Sequence, residues 1–220
     1  MKWIYIAAGI ALYFKMLFIP NPSPELTDIS IVEAVVKDSG VPSAVAGIIL
    51  RNRLYDTIFE VIVFTIAILG AGYLLANEKP SCNIYQFCDR PSIVLARLGA
   101  TIAAILSIEL AIRGHLSPGG GFAAGVAGGT AIGLIAITSS SHWMQDIYQR
   151  WRAAILEKIS VLIFIVLSVI TLAGIELPHG EMGALFSGGI LPLLNILVAA
   201  KVALGSWAVV LIFIRYRGLL

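Results

Sequence analysis

Charge is scarce in this chain. Only 13% of its 220 residues are charged, against roughly 25% in ordinary soluble domains. That shortage excludes the solvated surface a free globular domain needs. The formal net charge of +2 excludes the strongly basic face of a nucleic-acid binder. Cysteine occurs only at Cys82 and Cys88, and histidine only three times. The C-x5-C spacing has no nearby His or further Cys to complete a four-ligand zinc site, so no metal centre is expected. Free thiols and a local disulfide both fit that spacing. There is no H-E-x-x-H, no G-x-S-x-G and no Cys/His pair in plausible proximity, so no enzyme activity and no cofactor are expected. Low-complexity tracts and tandem repeats are absent too.

What fills the chain is apolar. Hydrophobic residues make up 59%, with a mean hydropathy of +0.93. A run of about 20 apolar residues crosses a bilayer as a helix, and six runs approach or exceed that length. They are Trp3–Ile19, Thr57–Asn77, Ser92–Ile112, Phe122–Ser141, Ile159–Leu177 and Ile190–Tyr216. The expected fold is therefore all-α, a polytopic protein of about six transmembrane helices in the cell membrane. The first run has no small-residue cleavage site after it, only Pro20, Pro22 and Pro24, and reads as an uncleaved helix. Val41–Leu50 is too short to span and reads as interfacial or re-entrant. Lys2, Lys79, Arg90, Arg150, Arg152, Lys158, Arg215 and Arg217 fall on one side of this arrangement. Lys37, Arg51, Arg53 and Arg113 fall on the other. The imbalance predicts cytoplasmic termini.

Glycine is the next signal. His115–Gly129 reads HLSPGGGFAAGVAGG. A dinucleotide fingerprint would need glycine at position 124, which is Ala124, and no G-K-[ST] follows for a phosphate loop. Instead Gly121, Gly125, Gly129 and Gly133 recur every four residues. On a helix that spacing makes one bare stripe, on which a second helix can approach closely. Amides exposed at this helix start could also line a hydrated path.

Ionisable residues inside the apolar runs are costly and normally face protein or water. Lys201 lies mid-span in NILVAAKVALGSW with no acid one turn away on its own helix. It reads as lining an ion path or as pairing with another helix. Glu109 and Arg113 have the i,i+4 spacing of a helical ion pair. Glu109 with His115 could instead form a proton relay. Thr57-x-x-Glu60 has the form of a capping box, while Asp56 one turn before Glu60 sets two carboxylates close together. His179 and Glu181, in LPHGEMG, read as solvated loop residues.

GHLSPGGGFAAGVAGG resembles the signature of the B subunit of Mrp-type multisubunit sodium/proton antiporters, and LPLLNILVAAKVALG is similar in the same way. Upstream, IILRNRLYDTIFE resembles the C-terminal end of the family's large A subunit. Arg53, Asp56, Thr57 and Glu60 fit its pattern, whereas Arg51 and Phe59 replace an acid and a glycine. The resemblance implies two pieces: residues 1–90, an A-subunit-like segment with two spans, and residues 91–220, a B-subunit-like four-helix domain. It further implies an accessory subunit of a cation/proton antiporter module, without catalysis of its own. Such fusions resemble those in the membrane arms of archaeal hydrogenase and sulfur-reducing complexes. The partners implied are other Mrp-type subunits, a redox module and membrane lipid, in a hetero-oligomer. Ion-path candidates are Lys201, Glu109, His115, Glu60 and Asp56. The alternative is a structural spacer with no ion path.

Overall fold

A computed structural model describes residues 31–81, 84, 86–175 and 177–217. The first expected span, Trp3–Ile19, lies outside them, as does Cys82. The described residues form helices and connecting turns. The chain enters through α1 (Ile31–Ser39), which ends at Gly40. With φ at +67°, Gly40 adopts the left-handed conformation that ends many helices, and its amide donates to the Val36 carbonyl.

The patch Val41–Leu50 does not run as one rod. Ser43 caps a single turn, α2 (Ala44–Gly47), by accepting from the Ala46 amide. A π-helical turn over Ile48–Asn52 follows directly. Val41, Ala46 and Leu50 are buried, so the segment packs into the bundle.

Four long helices carry the bulk of the structure: α3 (Leu54–Leu75), α4 (Arg90–Arg113), α7 (Ala153–Leu172) and α8 (Leu191–Arg217). Each is long and apolar enough to cross a membrane. Between them lie α5 (Gly121–Ala136) and the amphipathic α6 (Ser141–Arg150). Caps explain two of the starts. Asp89 accepts from the Ser92 amide ahead of Pro91, and Ser140 accepts from the Trp143 amide.

Two expected boundaries are corrected. The span placed at Phe122–Ser141 ends at Ala136, because Ser140 is recruited as the cap of α6. Its 16 residues rise about 24 Å, short of a hydrocarbon core of about 30 Å. The span placed at Ile159–Leu177 begins at Ala153, directly after Arg152 in the left-handed region at φ 48°. That shift brings Glu157 and Lys158 inside the helix.

α8 is the axis of the bundle and touches α3, α4, α5, α6 and α7. Its inward residues Leu191, Leu194, Val198 and Val202 join Leu54, Val61 and Phe164 in the main apolar core. A second cluster around Trp207 holds Ala136, Met144, Ala153 and Ile214. The outer faces of the long helices carry exposed Leu69, Leu98, Ile105, Leu162 and Val169, the pattern of a surface solvated by acyl chains.

Candidate functional site

Lys201 is 1% exposed, and its ammonium is paired with Glu157 of α7, itself 12% exposed. The Phe64 ring of α3 lies 5.4 Å from the ammonium, within cation–π range. Gly205 stands one turn beyond Lys201 on the same face of α8. A Cβ there would lie 2.8 Å from Phe64 Cε1 and 3.4 Å from Glu157 Oε1. The missing side chain is what lets the acid and the ring converge on the lysine. Trp207 meets Tyr148 of α6 edge to face at 5.3 Å. Burial, and secondarily the Glu157 carboxylate, push the Tyr148 phenol above its ordinary range.

Two carbonyls at the C-terminal end of α4 are satisfied from α8. Asn195 Nδ2 donates to Leu110 O at 2.9 Å and to Ala111 O at 2.8 Å, filling the vacancy that every helix end leaves. A Cβ on Gly114 would sit 2.6 Å from that same nitrogen. The Gly114-His115 pair and the LPLLN segment, far apart in sequence, thus meet at Asn195. His115 is fully buried, and neither ring nitrogen has a hydrogen-bond partner; Asn195 Oδ1 and Ser187 Oγ are likewise buried without one.

Burial holds the His115 imidazole below its ordinary range, outweighing the opposite pull of the Leu185 and Ala184 backbone. The imidazole therefore folds neutral. As pH falls through its ordinary value of 6.5, the unfolded chain takes up a proton that the folded chain refuses, and stability drops. A thermal melt of the assembled protein between neutral and mildly acidic pH should show this slope. His115→Gln should flatten it, and the same change at exposed His142 should not. Parallel acid loss in wild type and His115→Gln would refute the assignment.

The acidic positions at the start of α3 are arranged differently from the capping box read in Thr57-x-x-Glu60. The helix already starts at Leu54, so Thr57 lies a turn inside it. Its hydroxyl donates back to the Ile49 carbonyl of the π-helical turn at 3.0 Å. Such a turn leaves carbonyls displaced from the usual ladder, which is why the threonine is drawn there. Asp56 is paired with Arg53. Glu60 is exposed and shares a cleft of about 460 Å³ with Thr57, Asn195 and Gly119–Gly121.

Glu109 and Arg113 pair at 3.1 Å, each side chain 55% exposed. No hydrogen bond joins them to buried His115. His179 lies at 3.2 Å from the Arg51 guanidinium, which also binds Asp38 at 2.8 Å. It is half-buried and not freely solvated. Among the described residues, no three His, Cys, Asp or Glu side chains could hold a metal together.

The glycine stripe faces α8. A Cβ on Gly121 would lie 2.7 Å from Val198 Cβ, one on Gly125 2.8 Å from Val202 Cγ1, and one on Gly129 2.6 Å from Ser206 Cβ. Gly133 meets nothing within 4 Å. Gly128 sits between the two helices, where a Cβ would lie 2.8 Å from Ser107 Oγ of α4 and 3.1 Å from Ala203 Cβ of α8; the Ser107 hydroxyl donates to the Ala124 carbonyl at 2.7 Å. α5 is thus held between α4 and α8 at backbone distance.

Glu157, Asn195 and Phe64 are absent from the candidates read in the sequence. Only a helix begun at Ala153 places Glu157 inside the apolar run, where a lone acid matches the lone Lys201.

Residues 91–208 match the family model described as a domain related to the MnhB subunit of Na+/H+ antiporter. The chain belongs to this family. The MnhB-related region contains the glycine stripe, Asn195 and both halves of the Lys201–Glu157 pair. A curated relative from Rhizobium meliloti, a probable K(+)/H(+) antiporter A/B subunit, is 22% identical over 165 residues. The match takes in 64% of this chain but 16% of that protein, so the chain spans about a sixth of its relative's length. A chain in the structure of the membrane-bound sulfane sulfur reductase, an archaeal respiratory membrane complex, shares the fold. Its TM-score is 0.67 at 22% identity, over 97% of this chain and 98% of that one. With its apolar helices, this MnhB-related chain is a multi-pass membrane protein.

Proposed function

We propose that the chain is an accessory subunit of a multisubunit cation/proton antiporter module within a respiratory membrane complex, and that it helps form a Na+ or H+ path without catalysing a reaction. In this reading residues 1–90 act as the A-like segment and residues 91–220 as the B-like domain. The A/B naming of the curated relative and the respiratory complex of the structural neighbour support it. Other antiporter subunits and a redox module, driven by ferredoxin oxidation, are the partners.

The observation that carries the reading is the Lys201–Glu157 pair. Two opposite charges are kept between apolar helices beside an aromatic ring, at a cost that a purely structural contact could avoid with apolar residues. A proton reaching Glu157 neutralises the carboxylate and leaves a buried ammonium. That state is unfavourable by several kcal/mol, and it drives the ammonium proton, or the next cation, onward. Glu60, Asp56, His115 and Glu109 would lie along the approaches, with Glu109 at an exposed end.

The test is cation and proton uptake by membrane vesicles bearing the assembled complex. Lys201→Met with Glu157→Gln should cut coupled uptake roughly tenfold or more, the scale for losing a positioned proton-transfer group, while the complex still assembles. Glu109→Gln should change uptake less than about twofold, because exposed pairs contribute little. Unchanged uptake in the double variant would favour the structural spacer.

A further inference from the structure

One end of the bundle carries a cleft of about 750 Å³ that the ion path does not use. The C-terminal ends of α3 and α8 meet there, joined by the Ser81 amide donating to the Arg215 carbonyl at 2.9 Å and by Arg217 bound to Glu78 at 2.8 Å. α6 forms the third wall. The lining divides into two chemistries. His142, Gln145, Gln149, Ser141 and Arg215 supply donors, while Gly72, Ala208, Leu211 and Ile212 make an apolar wall. No Asp or Glu is among the described lining residues. Arg215 has no carboxylate within ion-pair distance among the described residues; the Tyr216 ring lies 5.6 Å from its guanidinium. Of the acids at this end, Glu78 is held by Arg217, Asp89 caps α4, and Asp146 of α6 is not among the described lining residues.

The depth of the cleft follows from α6. This helix buries Met144 and exposes Trp143, and Trp151 just beyond it is 63% exposed while packing edge-on against Trp207 at 6.4 Å. Tryptophans at the end of apolar helices mark headgroup level. A rim at that level that carries Arg215 and no described acid, above an apolar wall, is complementary to an amphipathic anion. We propose that this cleft binds the phosphodiester headgroup of one anionic phospholipid, with Arg215 as the main anion contact and His142 as a second donor, and its acyl chains against the α3/α8 wall.

The experiment uses the purified complex in nanodiscs containing a photoactivatable phosphatidylglycerol, with labelled peptides mapped by mass spectrometry. Labelling should fall on α6 and the end of α8. Arg215→Gln should reduce it roughly tenfold, the usual scale for losing a charge-assisted hydrogen bond, and Arg215→Lys should restore much of it. A phosphatidylcholine probe should label at background, and excess inorganic phosphate should not displace the lipid. Displacement by phosphate would make this a free-phosphate site and overturn the proposal. So would equal labelling by the zwitterionic probe, unchanged labelling in Arg215→Gln, or cross-links from this cleft to a neighbouring protein in place of lipid. If Arg215→Gln lowers recovery of the complex, His142→Gln alone should still weaken labelling; an unaffected yield of label in that variant also counts against the assignment.

Discussion

Gly125→Leu is expected to leave no recoverable complex. A Cβ at this position would already stand 2.8 Å from Val202 Cγ1 and 2.9 Å from the Ala199 carbonyl oxygen. The valine is fully buried and the oxygen belongs to the backbone of α8, so neither has anywhere to go. Even Gly125→Ala must push α5 and α8 apart and should cost about 1–3 kcal/mol, the scale of overpacking in a tight core. Leucine adds three more carbons in the same direction. Gly133→Leu is the matched control, since its site is open within 4 Å; it should change stability by less than about 1 kcal/mol. Native electrophoresis and size exclusion of the extracted complex measure both. Gly125→Leu complex at wild-type yield would dismantle the close-contact account of α5.

The second large effect concerns the buried ion pair. Lys201→Met alone strands the Glu157 carboxylate, and Glu157→Gln alone strands the ammonium. Removing one partner of such a pair costs about 3–5 kcal/mol, whereas replacing both is often close to neutral. The double substitution should therefore recover much of the stability that each single loses, giving a coupling energy of about 2 kcal/mol or more in a thermodynamic cycle. Thermal midpoints of the four proteins, read in the same detergent, supply the comparison. Additive losses would mean that the two charges do not depend on each other. Rescued stability with lost ion uptake is the outcome that separates transport from architecture.

Part of this was legible in the residues. Lys201 stands out because nothing on its own helix could neutralise it, and the four-residue glycine repeat announces a face that wants a neighbour. Neither pattern names the neighbour. Gly121, Gly125 and Gly129 find α8, while Gly133, equally regular in sequence, opens onto a cleft that it lines together with Val209, Val210 and Phe213 of α8. Helix starts were harder. Glu157 was hidden because hydropathy reports where apolar residues dominate, whereas α7 begins where the left-handed Arg152 lets it. The same confusion extended the glycine helix to Ser141, although it ends at Ala136 and Ser140 caps the next helix. Thr57-x-x-Glu60 had the right spacing for a cap, but the preceding π-helical turn starts α3 early and takes the threonine for itself. Asn195 carries no local signal, because its role depends on carbonyls more than eighty residues away.

The contact between α5 and α8 also has a thermal consequence. Its closest points on α5 are the hydrogens of Gly121, Gly125 and Gly129, which have no rotamers to freeze when the helices meet. In hydrocarbon there is no water to release either, so cohesion comes from dispersion and backbone polarity. An association of that kind lacks the large heat-capacity change of an aqueous interface. It should grip with nearly the same strength in a cold membrane as in a hot one.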